Sequence, residues 1–358
     1  SVVDIYFVSR LGANAVAVVG LTESLMTIVY VIAMGLGIGA SAVVARRIGE
    51  GDEDGAAHSA AQAVLLGVTF SVMISVAGVL LAPALLRVMG GEPSVVSLGT
   101  PYTTLMLGGN MVVVVLFLVN AVFRGAGDAA VAMRALFIAN IINIVLCPCL
   151  ILGIGPFPDL GLVGAATATT IGRGIGAIYA FVRLRQKSGR LRVSAAHFAL
   201  DPALMLRILR IAGSGMFQLF IAMASWVGLV RIVSGFGSDA VAGYTIGIRI
   251  IIFALMPSFG MSNAAATLVG QALGAGRPER AEKSVWTAAL WNMCFLGAVG
   301  LLFIVIPDAL VGIFTHDPAV MPYAVDCLRI VACGFLFYAY EMVITQAFNG
   351  AGDTRTPT

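Results

Sequence analysis

The sequence predicts an all-α polytopic membrane protein of two pseudo-symmetric six-helix bundles, with about ten of the helices present in its 358 residues. Three observations predict this: too little charge to cover a water-facing surface, apolar runs of spanning length, and an internal repeat at constant offset. On the first, 59% of residues are hydrophobic and 11% charged, with a mean hydropathy of +1.00. Soluble domains carry about 25% charged residues, so hydrocarbon has to solvate most of this exterior. The formal charge of +3 is small, and no polybasic or aromatic-interleaved basic patch is present, which argues against nucleic acid as a partner. Cys147, Cys149, Cys294, Cys327 and Cys333 lie within apolar runs and read as small core hydrophobes, not disulfides or zinc ligands.

A membrane-spanning helix needs about 20 apolar residues. The apolar runs predict spans over 1–9 (incomplete), 22–46, 58–88, 98–123, 130–154, 161–182, 206–233, 240–270, 284–312 and 324–348. They are too long for strands and show no alternation. One polar stretch, 183–205, carries Arg183, Arg185, Lys187, Arg190 and Arg192. It separates an amino-terminal bundle (1–185, helices 1–6) from a carboxyl-terminal one (206–358, helices 7–10), with 186–205 as a cytoplasmic linker. The breaks after even-numbered spans hold 15 of the 21 Lys and Arg: Arg46, Arg47, Arg124, Arg134, seven from Arg183 to Arg210, Arg277, Arg280, Lys283 and Arg355. The opposite breaks hold Arg10 and Arg87, while Arg173, Arg231, Arg249 and Arg329 fall within spans. By the positive-inside rule the even-numbered connections are cytoplasmic, in a multi-pass protein of the inner or plasma membrane.

The repeat has an offset of 225 residues. Ala15-Val16-Ala17 aligns with Ala240-Val241-Ala242, Gly35 with Gly260, and Gly49-Glu50-Gly51 with Gly274-Ala275-Gly276. Pro93 falls on Pro318, and Gly125-Ala126-Gly127-Asp128 recurs unchanged as Gly350-Ala351-Gly352-Asp353. Six spans separate the copies, so both begin on the same side. That is a parallel repeat, a duplication found in transporters that rock two halves about a cavity. Helices 5 and 6 would have partners at about 355–407. The chain also opens on Ser1 without a signal-peptide pattern. It reads as a piece of a twelve-helix parent, lacking part of helix 1 and all of helices 11 and 12, and as given is expected not to transport.

The ordered set Asp4…Ser9-Arg10-Leu11-Gly12, Met34-Gly35-Leu36-Gly37, Arg47-Ile48-Gly49-Glu50-Gly51-Asp52 and Gly125-Ala126-Gly127-Asp128 resembles the multidrug and toxic compound extrusion (MATE) transporters. So do Asn143 to Gly153, Gly164-Ala165-Ala166 with Ala168-Thr169, and Pro257…Gly260…Val269-Gly270-Gln271. The resemblance implies a secondary antiporter that exports cationic or amphipathic organic compounds in exchange for H⁺ or Na⁺ by alternating access. No cofactor beyond the coupling ion is expected, no enzymatic activity, and a monomer in the lipid bilayer. A flippase for lipid-linked oligosaccharide and a non-transporting membrane scaffold stand as alternatives.

The candidate residues follow. Helical rise puts Asp4 about 8 Å inside the boundary at Arg10, where a carboxylate costs about 2.5–3.5 kcal/mol. A proton carrier, a Na⁺ site and an interfacial Asp are the readings open to it. The resemblance implies an acid on helix 1, and on helix 5 an Asn followed four residues later by an Asp. Here Asn143 matches, but the second position is Cys147, so a full carboxylate cage for Na⁺ is not expected. Thr169 matches a Thr on helix 6 and either joins the same network or bonds back to its own helix. Arg173, in mid-helix, is read as a cavity residue paired with Asp4 or as a snorkelling side chain. Arg249 and Glu23, nearly equivalent under the repeat, suggest a gate between the halves, although Thr22 and Glu23 also suit a helix start. Glu341 is a second cation site or a partner of Arg329. The Gly125-Gly127-Asp128 and Gly350-Gly352-Asp353 turns read as structural, and Pro257 as a kink. His58, His197 and His316 lack metal-ligand spacing.

Overall fold

The computed structural model describes residues 2–186 and 191–358. Lys187 and Arg190 lie outside the described residues, as does part of the expected 186–205 linker. Among the described residues there are twelve α-helices and one 3-10 turn, and no strand. They are α1 (Val2–Ser9), α2 (Ala13–Glu50), α3 (Glu53–Val88), α4 (Pro93–Gly108), α5 (Asn110–Ala126), α6 (Ala129–Leu152), α7 (Gly161–Arg185), the turn η1 (Ala195–Phe198), α8 (Pro202–Ser234), α9 (Ser238–Gly274), α10 (Pro278–Val305), α11 (Pro307–Gly312) and α12 (Met321–Ala351).

Eight of these stretches are long and apolar enough to cross a membrane, α4 with α5 counting as one. Ten spans were expected. The eight residues of α1 are too few, and in α7 the guanidinium of Arg173 sits among Gly and Thr that dilute its hydropathy. The expected helix 4 is broken at Gly108–Gly109, and side chains take up the main-chain groups the break releases. Asn110 Nδ2 donates to Leu107 O, and Ser75 Oγ donates to Gly108 O at 2.9 Å. The expected helix 9 divides into α10 and α11 at Ile306, and Pro307 opens α11 at its first position, where its missing N–H is not needed. The helix start read at Thr22 and Glu23 is corrected as well. α2 begins at Ala13, so both lie in its interior, and the buried Thr22 hydroxyl bonds Thr103 of α4 at 2.8 Å.

The chain forms two compact units, residues 1–44 with 52–216, and 45–51 with 217–358. In the first, α6 packs on α7, and α3 lies against α4, α5 and η1. α2 meets the first half of α8 at Gly35 and Gly39, where a Cβ would strike Met216 and the Ile208 carbonyl. Residues 195–201 are pinned to α3 by a polar cluster. His58 Nδ1 meets His197 O at 3.0 Å, Gln62 Nε2 donates to Ala199 O at 2.7 Å, and Asp201 N donates to Gln62 Oε1 at 3.2 Å. Outside the membrane, Asp201 is held below the usual carboxylate range by the Leu204 and Ala203 N–H groups and by His58. In the second unit α9, α10 and α12 enclose a core of Leu296, Phe303, Leu328 and Phe335. Large side chains such as Leu80, Val88, Phe253 and Phe337 remain exposed, an exterior suited to hydrocarbon.

The repeat is visible in the helix bounds. Adding 225 to the starts of α2 and α3 gives those of α9 and α10, and adding it to the ends of α1 and α5 gives those of α8 and α12. Left-handed glycines recur in step, Gly12 with Gly237 (φ 106° and 103°) and Gly127 with Gly352 (φ 86° and 84°).

Candidate functional site

The sequence-predicted coupling residues come together in the first unit. Asp4 of α1 is half-buried, and Asn143 of α6 is buried. Hydrogen-bond partners fix the amide orientation: Asn143 Nδ2 donates to Asp4 Oδ1 at 3.1 Å, and Asn143 Oδ1 accepts from Thr169 Oγ1 of α7 at 3.0 Å. One amide therefore links a carboxylate and a hydroxyl across three helices. The neighbours Thr167 and Thr170 bond back to the carbonyls of Val163 and Ala166, as mid-helix threonines do, whereas Thr169 turns to α6. Cys147, one turn beyond Asn143 and fully buried, sets its thiol within hydrogen-bonding reach of Asp4.

Arg173, one turn beyond Thr169, does not make the pairing expected with Asp4. Its Nη1 donates to Tyr30 Oη of α2 at 2.9 Å, with the guanidinium 5.6 Å from the ring centroid. A phenol that both accepts and offers a π face satisfies an arginine that cannot lose its proton. Tyr102 of α4 is buried within electrostatic range of Asp4, Glu23 and Tyr30. Neither tyrosine was singled out in the sequence. Tyr30 is two turns from Glu23 on α2, a spacing that marks a shared face; Tyr102 carries no such signal.

The other candidates lie elsewhere. Arg249 is exposed on α9, and Glu23 is exposed on α2. Glu341 is exposed on α12 and accepts from Thr345 Oγ1 at 3.2 Å. It is not the partner of Arg329, whose Nη2 lies 3.8 Å from Asp308. Pro257 sits inside α9, which runs through it unbroken. One residue on, Ser258 Oγ donates to Asn292 Oδ1, and Asn292 Nδ2 donates to Ala339 O at 3.0 Å, tying α9 to α10 and α12. That buried polar node went unread because a lone Ser and a lone Asn in apolar runs give no pattern.

The two Gly-Ala-Gly-Asp turns act locally. Gly127 and Gly352 adopt the left-handed conformation that ends a helix. A Cβ at Gly125 would meet the Ser41 carbonyl, and one at Gly350 the equivalent Ala266 carbonyl. Asp128 caps α6 by accepting from Val131 N. The Thr356 hydroxyl and N–H, with Arg355 N–H, hold the Asp353 carboxyl below its usual range. Among the described residues no group of three or more His, Cys, Asp or Glu side chains is arranged to hold a metal ion.

Comparison with known proteins agrees with this architecture. The family profile described as MatE matches residues 1–149 and 207–358. A probable multidrug resistance protein NorM of Thermotoga maritima is 28% identical over 99% of this chain and 76% of its own length. An FAD transporter of Shewanella oneidensis is 26% identical over 98% and 77%, and the multidrug export protein MepA of Staphylococcus aureus 22% identical over 100% and 78%. A crystal structure of MATE in the bent conformation superposes with a TM-score of 0.90 at 27% identity, covering 99% of this chain and 78% of that one. A transporter from Pyrococcus furiosus, described by the reverse polarity of its binding pocket, gives 0.87 at 27% identity over 99% and 79%. The chain belongs to the MatE family, that of the multidrug and toxic compound extrusion transporters.

Proposed function

We propose that the protein is a secondary antiporter that exports cationic or amphipathic organic compounds by alternating access, with Asp4, Asn143 and Thr169 as its coupling site. The observation that carries this reading is the single amide joining Asp4 to Thr169 across α1, α6 and α7. A charge change at Asp4 is felt by three helices at once, so cation binding there biases which of two arrangements is populated. The donor set favours H⁺ over Na⁺. One carboxylate, one amide oxygen already engaged by Thr169 and one hydroxyl fall short of the oxygen cage a hard cation needs, and Cys147 stands where a second acid would complete it. Arg173 is engaged by Tyr30 and does not pair with Asp4, so the acid is left to the amide of Asn143 and the thiol of Cys147. The protein acts as a monomer in the cell membrane with its even-numbered connections cytoplasmic, needs no cofactor, and catalyses no covalent step.

The test is transport by the product of the whole gene in proteoliposomes, with a pH gradient or a Na⁺ gradient imposed separately. Accumulation of an organic cation driven by the pH gradient alone is the expected result. Accumulation only with Na⁺ would overturn the choice of ion, and accumulation with neither would overturn the antiport reading.

A further inference from the structure

We propose that the groove between α9 and α10 binds an anionic phospholipid. The groove, of about 630 Å³, is lined by Arg280, Lys283, Ser284 and Trp291 on α10 and by Met261 and Leu268 on α9. Its chemistry changes along its length. Arg280 and Lys283 occupy the first two turns of α10, directly after the connection from α9. Trp291, 67% exposed, lies two turns deeper than Lys283, about 12 Å by helical rise. Two cations followed at that depth by an apolar wall match a phosphate headgroup and the upper part of its acyl chains.

Hydrogen bonding sharpens the match. Ser284 and Thr287 spend their hydroxyl protons on the carbonyls of Arg280 and Lys283, at 2.8 and 2.7 Å. The guanidinium and ammonium are thus the donors available to a phosphate. Neither is held in an ion pair among the described residues. Glu279 and Glu282 lie on the same helix but do not line the groove. Basic pockets between helices at a membrane boundary are where anionic headgroups are held.

The test uses the product of the whole gene with Trp291 as its sole tryptophan, in phosphatidylcholine vesicles doped with chain-brominated phosphatidylglycerol or, at equal fraction, chain-brominated phosphatidylcholine. Bromine quenches only a tryptophan it touches. Quenching of Trp291 by the anionic lipid is expected at lower mole fraction, on the order of tenfold for two basic contacts. Arg280→Gln with Lys283→Gln should abolish the preference, Arg280→Lys should keep it, and Glu279→Gln off the groove should leave it unchanged. Added inorganic phosphate should not displace it. Equal quenching by both lipids, a preference that survives the double substitution, or no quenching because protein covers Trp291 would each overturn the proposal.

Discussion

Asp4 shows how a costly residue is kept in an apolar helix. Its carboxylate is served by an amide that α7 in turn holds in orientation, so the cluster has few ways to rearrange. Part of this was legible in the sequence, because an acid within an apolar run has a calculable cost and Asn143 and Thr169 sit where the family has the same residue types. The partner of Arg173 was not legible. An arginine needs only some acceptor, and nothing in the local sequence distinguishes Tyr30 from Asp4. Arg329 likewise took Asp308 rather than Glu341, because α11, a short helix the apolar runs did not separate, sets that acid opposite it. Outside the membrane, Asp201 allows a prediction with a definite sign. Its carboxyl is depressed, first by Leu204 N–H, so its contribution is present above the ordinary carboxylate value of about 4 and is lost as pH falls through the folded value. Asp201→Asn should therefore lower Tm at pH 7, and the gap to the parent should close as the pH drops below about 4. A gap that stays constant with pH would contradict the assignment.

Helix ends and breaks were set by small residues and proline more than by hydropathy. The apolar runs located the helices but not the break between α4 and α5, which depends on Asn110 capturing the nearby Leu107 carbonyl and on Ser75, 33 residues earlier, capturing that of Gly108. α2 also begins nine residues earlier than its apolar run suggested, because Thr22 pairs inside the bundle with Thr103 instead of capping. The two copies solve one contact in opposite ways. In the first, Gly99 of α4 admits Val18 of α2; in the second, Gly243 of α9 admits the α12 backbone at Ala324. Packing of this kind is unforgiving where the neighbour is main chain. Gly125→Ala should destabilise the protein by about 1–3 kcal/mol, because the Ser41 carbonyl cannot move aside. Gly260→Ala, with open space around it, should be neutral or slightly stabilising through helix propensity. Thermal unfolding in detergent separates the two, and equal shifts would contradict the contact geometry.

For the whole molecule, the duplication was the most legible feature, since Gly-Ala-Gly-Asp recurs unchanged and the helix bounds follow it at the same offset. The copies are nonetheless unlike in chemistry. Leu229 occupies the repeat position of Asp4, and the polar node at Asn292 answers to Gly67, which Leu118 fills. The duplicated scaffold repeats its helix bounds, while among the described residues the half-buried acid linked to its neighbours by an amide lies in the first copy. That asymmetry makes the central claim sharp: the driving ion acts through the first copy, at Asp4. The most direct measurement compares pH-gradient-driven export by the parent and by Asp4→Asn in matched proteoliposomes, with insertion and Tm checked in both. The account predicts that Asp4→Asn binds cargo and folds normally yet loses gradient-driven export. Export by Asp4→Asn at the parental rate would contradict it.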